Sequence, residues 1–159
     1  MRKPVLVGFV VFFVQFFLSE YLMIRGIRPD FLLIFLVYIA VRHGSMTGVI
    51  CGFVIGLLED LTGVGSLFGL APLTKSLTGF LIGRLHGKFQ RMNPLVFHFG
   101  WVSMLLIHFF LYIYVRFQSV FEFSQLEFWI TWFSAVLYTF VFMGIMQVIM
   151  PLSKIQIPK

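Results

Sequence analysis

Apolar residues along this chain fall into six runs, at residues 4–24, 29–42, 46–61, 67–85, 94–115 and 128–150, with short polar breaks between them. The runs at 4–24, 94–115 and 128–150 have the length of a full membrane span, which takes about 20 residues. The runs at 29–42 and 46–61 are shorter. A helix of 15 residues reaches only about 22 Å, so such segments must lie nearly upright, thin the bilayer locally or be shielded by longer helices. Glycine recurs every four residues within two of the runs, at Gly44, Gly48, Gly52 and Gly56 and again at Gly79, Gly83 and Gly87. That spacing places each set on one helical face. In an apolar chain, such a face lets a second helix backbone come close. Glycine inside a helix costs roughly 0.5–1 kcal/mol relative to alanine, and close packing is the simplest compensation. The pattern predicts an all-α, polytopic membrane bundle of about six transmembrane segments, forming one domain over residues 1–159.

Composition strengthens this reading. The chain is 60% hydrophobic and 11% charged, against about 25% charged in an average soluble domain, which leaves too little polar surface for a soluble globule. The run at 4–24 lacks a small-residue cleavage pattern before Arg25 and is read as a retained helix rather than a signal peptide. Cys51 is the single cysteine, so neither an intrachain disulfide nor a cysteine metal cluster is expected. The net charge of +6 is explained by topology rather than by nucleic acid. With the N-terminus in the cytoplasm and every run crossing, the inner side receives Arg2, Lys3, Arg42, Arg84, Lys88, Arg91, Lys154 and Lys159, and the outer side Arg25, Arg28 and Arg116. This is the expected positive-inside bias, with both termini cytoplasmic. A hairpin of 29–42 and 46–61 that never crosses would satisfy the same bias.

Few residues offer chemistry. Asp30 follows Arg28 and Pro29 at the start of the second run, where proline and an acid suit a helix N-terminus. Glu59 and Asp60 end the first glycine ladder. An intramembrane carboxylate points to function, but Thr62, Gly63, Gly65 and Ser66 also make Asp60 a candidate turn anchor. Lys75 falls within the fourth run and must pair or snorkel. Glu59 or Asp60 is the favoured partner, with snorkelling to the outer interface as the alternative. Pro72 interrupts this partly polar segment, and interrupted helices also build transporter binding sites. His43, His86, His98 and His108 show no compact metal-ligand spacing. No phosphate loop or nucleophile elbow is present, so no cofactor, metal or catalytic residue is expected.

The order RPD at 28–30, Arg42 and Gly44, LLEDLTG at 57–63, LFGLAPL at 67–73 and GFLIGR at 79–84 resembles the rod shape-determining MreD family of bacterial membrane proteins. Asp60 matches the family acid, whereas Glu59 and Lys75 depart from the pattern, where apolar or small residues are usual. The resemblance implies a non-enzymatic subunit of the cell-elongation machinery in the cytoplasmic membrane. It would bind the single-span protein MreC and act with MreB filaments, the glycosyltransferase RodA and its penicillin-binding transpeptidase. On this reading Asp30, Gly48, Gly52, Gly56, Asp60 and Gly83 are the interface or structural residues. The family also resembles the six-helix substrate-binding subunits of vitamin transporters. A transport subunit is the competing reading, with Lys75, Glu59 and Asp60 lining a pocket of roughly 300 Å³ or more.

Overall fold

The computed structural model describes residues 27–62, 67–89 and 91–152, together with 13, 17 and 21–23. The expected first helix at 4–24 lies almost wholly outside the described residues, as do Gly63, Gly65 and both chain ends. The described elements are all helices: α1 (Phe31–His43), α2 (Ser45–Leu61), α3 (Leu70–Gly83), α4 (Pro94–Arg116), α5 (Gln118–Phe123) and α6 (Gln125–Ile149).

Helix α1 is the centre of the bundle. Its sequence is apolar around the whole circumference, the pattern of a helix enclosed on all sides. Leu33, Leu36, Val37 and Ala40 are completely buried, and Leu32, Ile34, Ile39 and Val41 nearly so. Helices α2, α3 and α6 pack around it, so protein shields this short segment. Asp30 caps its start, with Oδ1 accepting from the Leu33 N–H at 2.7 Å. Gly44 ends it. At φ +87° this residue stands where side chains are strained, and its N–H donates to the Ala40 carbonyl at 2.9 Å. Helix α2 begins at the next residue. Gly44 is therefore the joint between two helices and not the first rung of the α2 glycine face.

Helices α2 and α3 run antiparallel with their backbones in contact. A Cβ placed on Gly48 would strike the Gly79 carbonyl, one on Gly52 would lie 2.5 Å from the Lys75 carbonyl oxygen, and one on Gly56 would lie 2.5 Å from Pro72 Cα. In return, a Cβ on Gly79 would meet the Gly48 backbone, and one on Gly83 would meet that of Ser45. Steps of four down one helix thus match steps of four up the other. Gly87 takes no part in this seam; it sits in the turns after α3 with φ +68°. The expected helix over 67–85 is helical only from Leu70 to Gly83, because Gly69 adopts a left-handed conformation (φ +98°) immediately before it. Lys88 and Arg91 follow in turns that lead to α4.

Helix α4 starts on Pro94, with Asn93 Oδ1 accepting from the Leu95 N–H at 2.9 Å. It buries a stripe of Phe97, Trp101, Leu105, His108, Phe109 and Ile113, whose spacing of three and four defines one face. Helix α6 starts three residues before the apolar run at 128, with Glu127 in its first turn, where a negative charge suits the helix dipole. Trp101 stacks on Phe140 at 6.0 Å, and Phe121 meets Phe128 edge-on at 4.9 Å, joining α4, α5 and α6. Among the described helices, α4 and α6 are long and apolar enough to cross a membrane. At about 35 and 37 Å they exceed a hydrocarbon core of about 30 Å, whereas α1, α2 and α3 reach only about 20, 26 and 21 Å.

The seam makes a sharp distinction between glycines. Gly52→Ala should destabilise the protein by about 1–3 kcal/mol, as overpacking does. Gly144, on α6, has nothing within 4 Å of a new Cβ, and Gly144→Ala should be neutral or stabilising by up to about 1 kcal/mol. Thermal unfolding of the two variants in detergent compares them directly, and equal melting temperatures would contradict backbone contact at Gly52.

Candidate functional site: a buried ion cluster

At 1% exposure, Lys75 is fully buried. Its backbone carbonyl faces Gly52 across the seam, and its ammonium group reaches the N-terminal end of α1. There Nζ donates to Asp30 Oδ2 and lies 3.0 Å from Glu59 Oε2. The two carboxylate side chains are 18% and 13% exposed. Asp30 therefore does two jobs, capping α1 with one oxygen and balancing Lys75 with the other. Its backbone N–H donates to Thr139 Oγ1 at 3.3 Å, which brings α6 into the same cluster. Removing a charge from water costs several kcal/mol, and only close pairing offsets it.

A second polar layer continues inward along α3. Thr78 Oγ1 donates to the Thr74 carbonyl at 2.7 Å and stands 2.9 Å from His108 Nδ1. A hydroxyl has one proton to give. With that proton on the Thr74 carbonyl, the network assigns a hydrogen to His108 Nδ1, which donates to Thr78 Oγ1 and also lies 3.4 Å from the Thr74 carbonyl. Thr74, Thr78, His108 and Thr139 are all buried. Two polar groups thus lie inside an apolar bundle, one joining α1, α2, α3 and α6 and the other joining α3 to α4.

The sequence-derived candidates separate into three places. Asp30, Glu59 and Lys75 come together. Asp60, expected as a possible partner of Lys75, turns elsewhere: its Oδ2 accepts from the Gly69 N–H at 2.6 Å, fastening the link between α2 and α3. Adjacent residues on a helix point about 100° apart, so Glu59 and Asp60 cannot both face Lys75. Lys75 does not snorkel. Gly48, Gly52, Gly56 and Gly83 line the α2–α3 seam and are occupied by neighbouring backbone rather than open to a partner. His108 and Thr139 were not singled out by sequence. An ionisable residue in the middle of the 94–115 run was a signal for His108; Thr139 had none. Among the described residues, no group of three His, Cys, Asp or Glu is placed to hold a metal ion.

A family profile for the rod shape-determining protein MreD matches residues 3–155. The chain belongs to the MreD family. No curated protein matches it, and no solved structure does. Membership of the MreD family makes this a membrane protein with a scaffold role in cell shape, associated with the cell-elongation machinery, and not an enzyme. Within that family setting, the Asp30–Lys75–Glu59 cluster is a charged core that an apolar packing would not need.

Loss of the cation should be far more damaging than loss of the whole cluster. Lys75→Met leaves two carboxylates facing each other and should cost about 3–5 kcal/mol. Adding Asp30→Asn and Glu59→Gln to Lys75→Met should recover most of that loss, as read from folded yield and melting temperature in detergent. A triple variant no better than Lys75→Met would exclude charge balance as the role of the cluster.

Proposed function

We propose that this protein is a non-enzymatic membrane scaffold that maintains rod shape by binding MreC directly and coupling it, with the MreB cytoskeleton, to peptidoglycan synthesis by RodA and its penicillin-binding transpeptidase. The family match over residues 3–155 is the observation that carries this reading. The build of the chain supports it. Nearly all described residues belong to helices or short turns, so a partner that meets the described part of the chain meets helix faces and short connections. The glycine faces are used within the fold. Docking then falls to exposed apolar faces, such as Ile130, Phe133, Leu137 and Val141 on α6 or Ile50, Phe53 and Val54 on α2. Asp30, Gly48, Gly52, Gly56, Asp60 and Gly83 act by holding those faces in place. The proposed topology has six crossings with both termini in the cytoplasm, α1 to α3 crossing with the help of the longer helices around them.

The transport reading finds little to support it. The charges of Lys75, Asp30 and Glu59 are directed at one another. A depression of about 370 Å³ is lined by Trp129, Ile130, Trp132, Phe133 and Ser134 and by none of those charges. A solute site calls for convergent polar groups inside the cavity.

Depletion of the protein in a rod-shaped host should round the cells, and a tagged copy should retain MreC from solubilised membranes. Gly52→Leu should neither restore rod shape to depleted cells nor retain MreC, through loss of the fold. Rod shape maintained after full depletion, or a folded protein that captures no MreC, would refute the scaffold assignment.

A further inference from the structure

We propose that the end of the bundle opposite the ion cluster binds the headgroup of an anionic phospholipid, with Arg84 and Phe80 at its centre. The fold gathers cations there by two contacts. Gly83 rests on Ser45 and Gly44, which brings the end of α3 to the start of α2. His86 Nδ1 then donates to the Val41 carbonyl at 2.8 Å and ties the following turns to the end of α1. Arg42, Arg84, Lys88 and Arg91 consequently share one end of the molecule, all of them exposed. The described acids lie elsewhere: Asp30, Glu59 and Asp60 at the opposite ends of α1 and α2, and Glu122 and Glu127 beyond the far end of α4. No described carboxylate neutralises this end.

The surroundings of Arg84 say what kind of anion fits. Its guanidinium carbon lies 5.3 Å from the centre of the Phe80 ring, within the range of a cation–π contact. Phe80, Leu77 and Leu73 continue from it as an exposed apolar stripe along α3, at 41%, 42% and 68% exposure. The planar guanidinium can hold a phosphate through two parallel hydrogen bonds. The stripe below it offers an acyl chain a surface to lie against. A free phosphate would gain from the cations and nothing from the stripe, whereas a phospholipid gains from both. The surplus of positive charge selects an anionic headgroup over a zwitterionic one. This inference rests on the membrane placement of these helices and is independent of the scaffold role, since MreC capture and lipid retention are separate measurements.

The test uses the full-length protein, purified in detergent, delipidated and titrated with phosphatidylglycerol or phosphatidylcholine. Bound lipid is counted by native mass spectrometry, and stabilisation is followed by thermal unfolding. Phosphatidylglycerol should be retained over phosphatidylcholine. Arg84→Gln should weaken its binding about fivefold, the effect of one cation near a lipid surface, and Arg84→Gln with Lys88→Gln should weaken it more than twentyfold. Arg116→Gln, at the far end of α4, should leave it unchanged. Should Arg84→Gln fail to fold, Lys88→Gln with Arg91→Gln, both in the exposed turns, carries the same comparison. Equal retention of the two lipids, unchanged binding in the cation variants, or full displacement by millimolar inorganic phosphate would each overturn the proposal.

Discussion

Contact between the backbones of α2 and α3 sets the positions on which everything else in this bundle depends. Side chains normally hold helix axes 8–10 Å apart, and glycine at Gly48, Gly52, Gly56, Gly79 and Gly83 removes that spacing. Because Gly52 admits the Lys75 carbonyl, α3 sits at the height where the lysine ammonium meets Asp30 and Glu59. Because Gly83 rests on Ser45, the cationic turns after α3 arrive beside the end of α1. One steric condition therefore places charge at both ends of the molecule, and it needs no large side chain to do so.

The ion cluster adds a different kind of constraint. Apolar packing resists separation of helices but is tolerant of sliding and rotation. A lysine that must find two particular carboxylates is not. Asp30, Glu59 and Lys75 come from three helices, and Thr139 adds a fourth through the Asp30 backbone. Buried ion pairs rarely increase stability over a well-packed apolar alternative. The geometry they require defines one register among helices that otherwise meet mainly through apolar side chains and glycine backbone. That property suits a subunit whose outer faces must keep a fixed geometry for a partner.

Much of this was legible in the sequence, and the parts that were not share a cause. Period-four glycines announce a close seam because the period belongs to one helix and needs no partner to be seen. The identity of the partner helix does not appear in such a pattern, and the same glycines suited an external protein as well as α3. Lys75 announced that it needed an acid, but the choice among Asp30, Glu59 and Asp60 depends on rotation about helix axes, which spacing along the chain does not give. Asp30, read as a helix start, is both a helix start and a counter-ion. Gly44 and Gly87 fell on the right period and yet stand in left-handed joints, because glycine serves tight turns as readily as tight packing. The family likeness rested on the order of short motifs from 28 to 84, and the profile match extends it over nearly the whole chain.

The two tasks of Asp30 have a consequence for how the protein breathes. Helix ends ordinarily fray one turn at a time while the rest of a structure stays closed. The first turn of α1 has no such freedom, since unwinding it would withdraw the carboxylate that Lys75 requires. Local melting and opening of the interior are one event at this position. A disturbance at the surface near residue 30 therefore bears on α2, α3 and α6 together, through Glu59, Lys75 and Thr139.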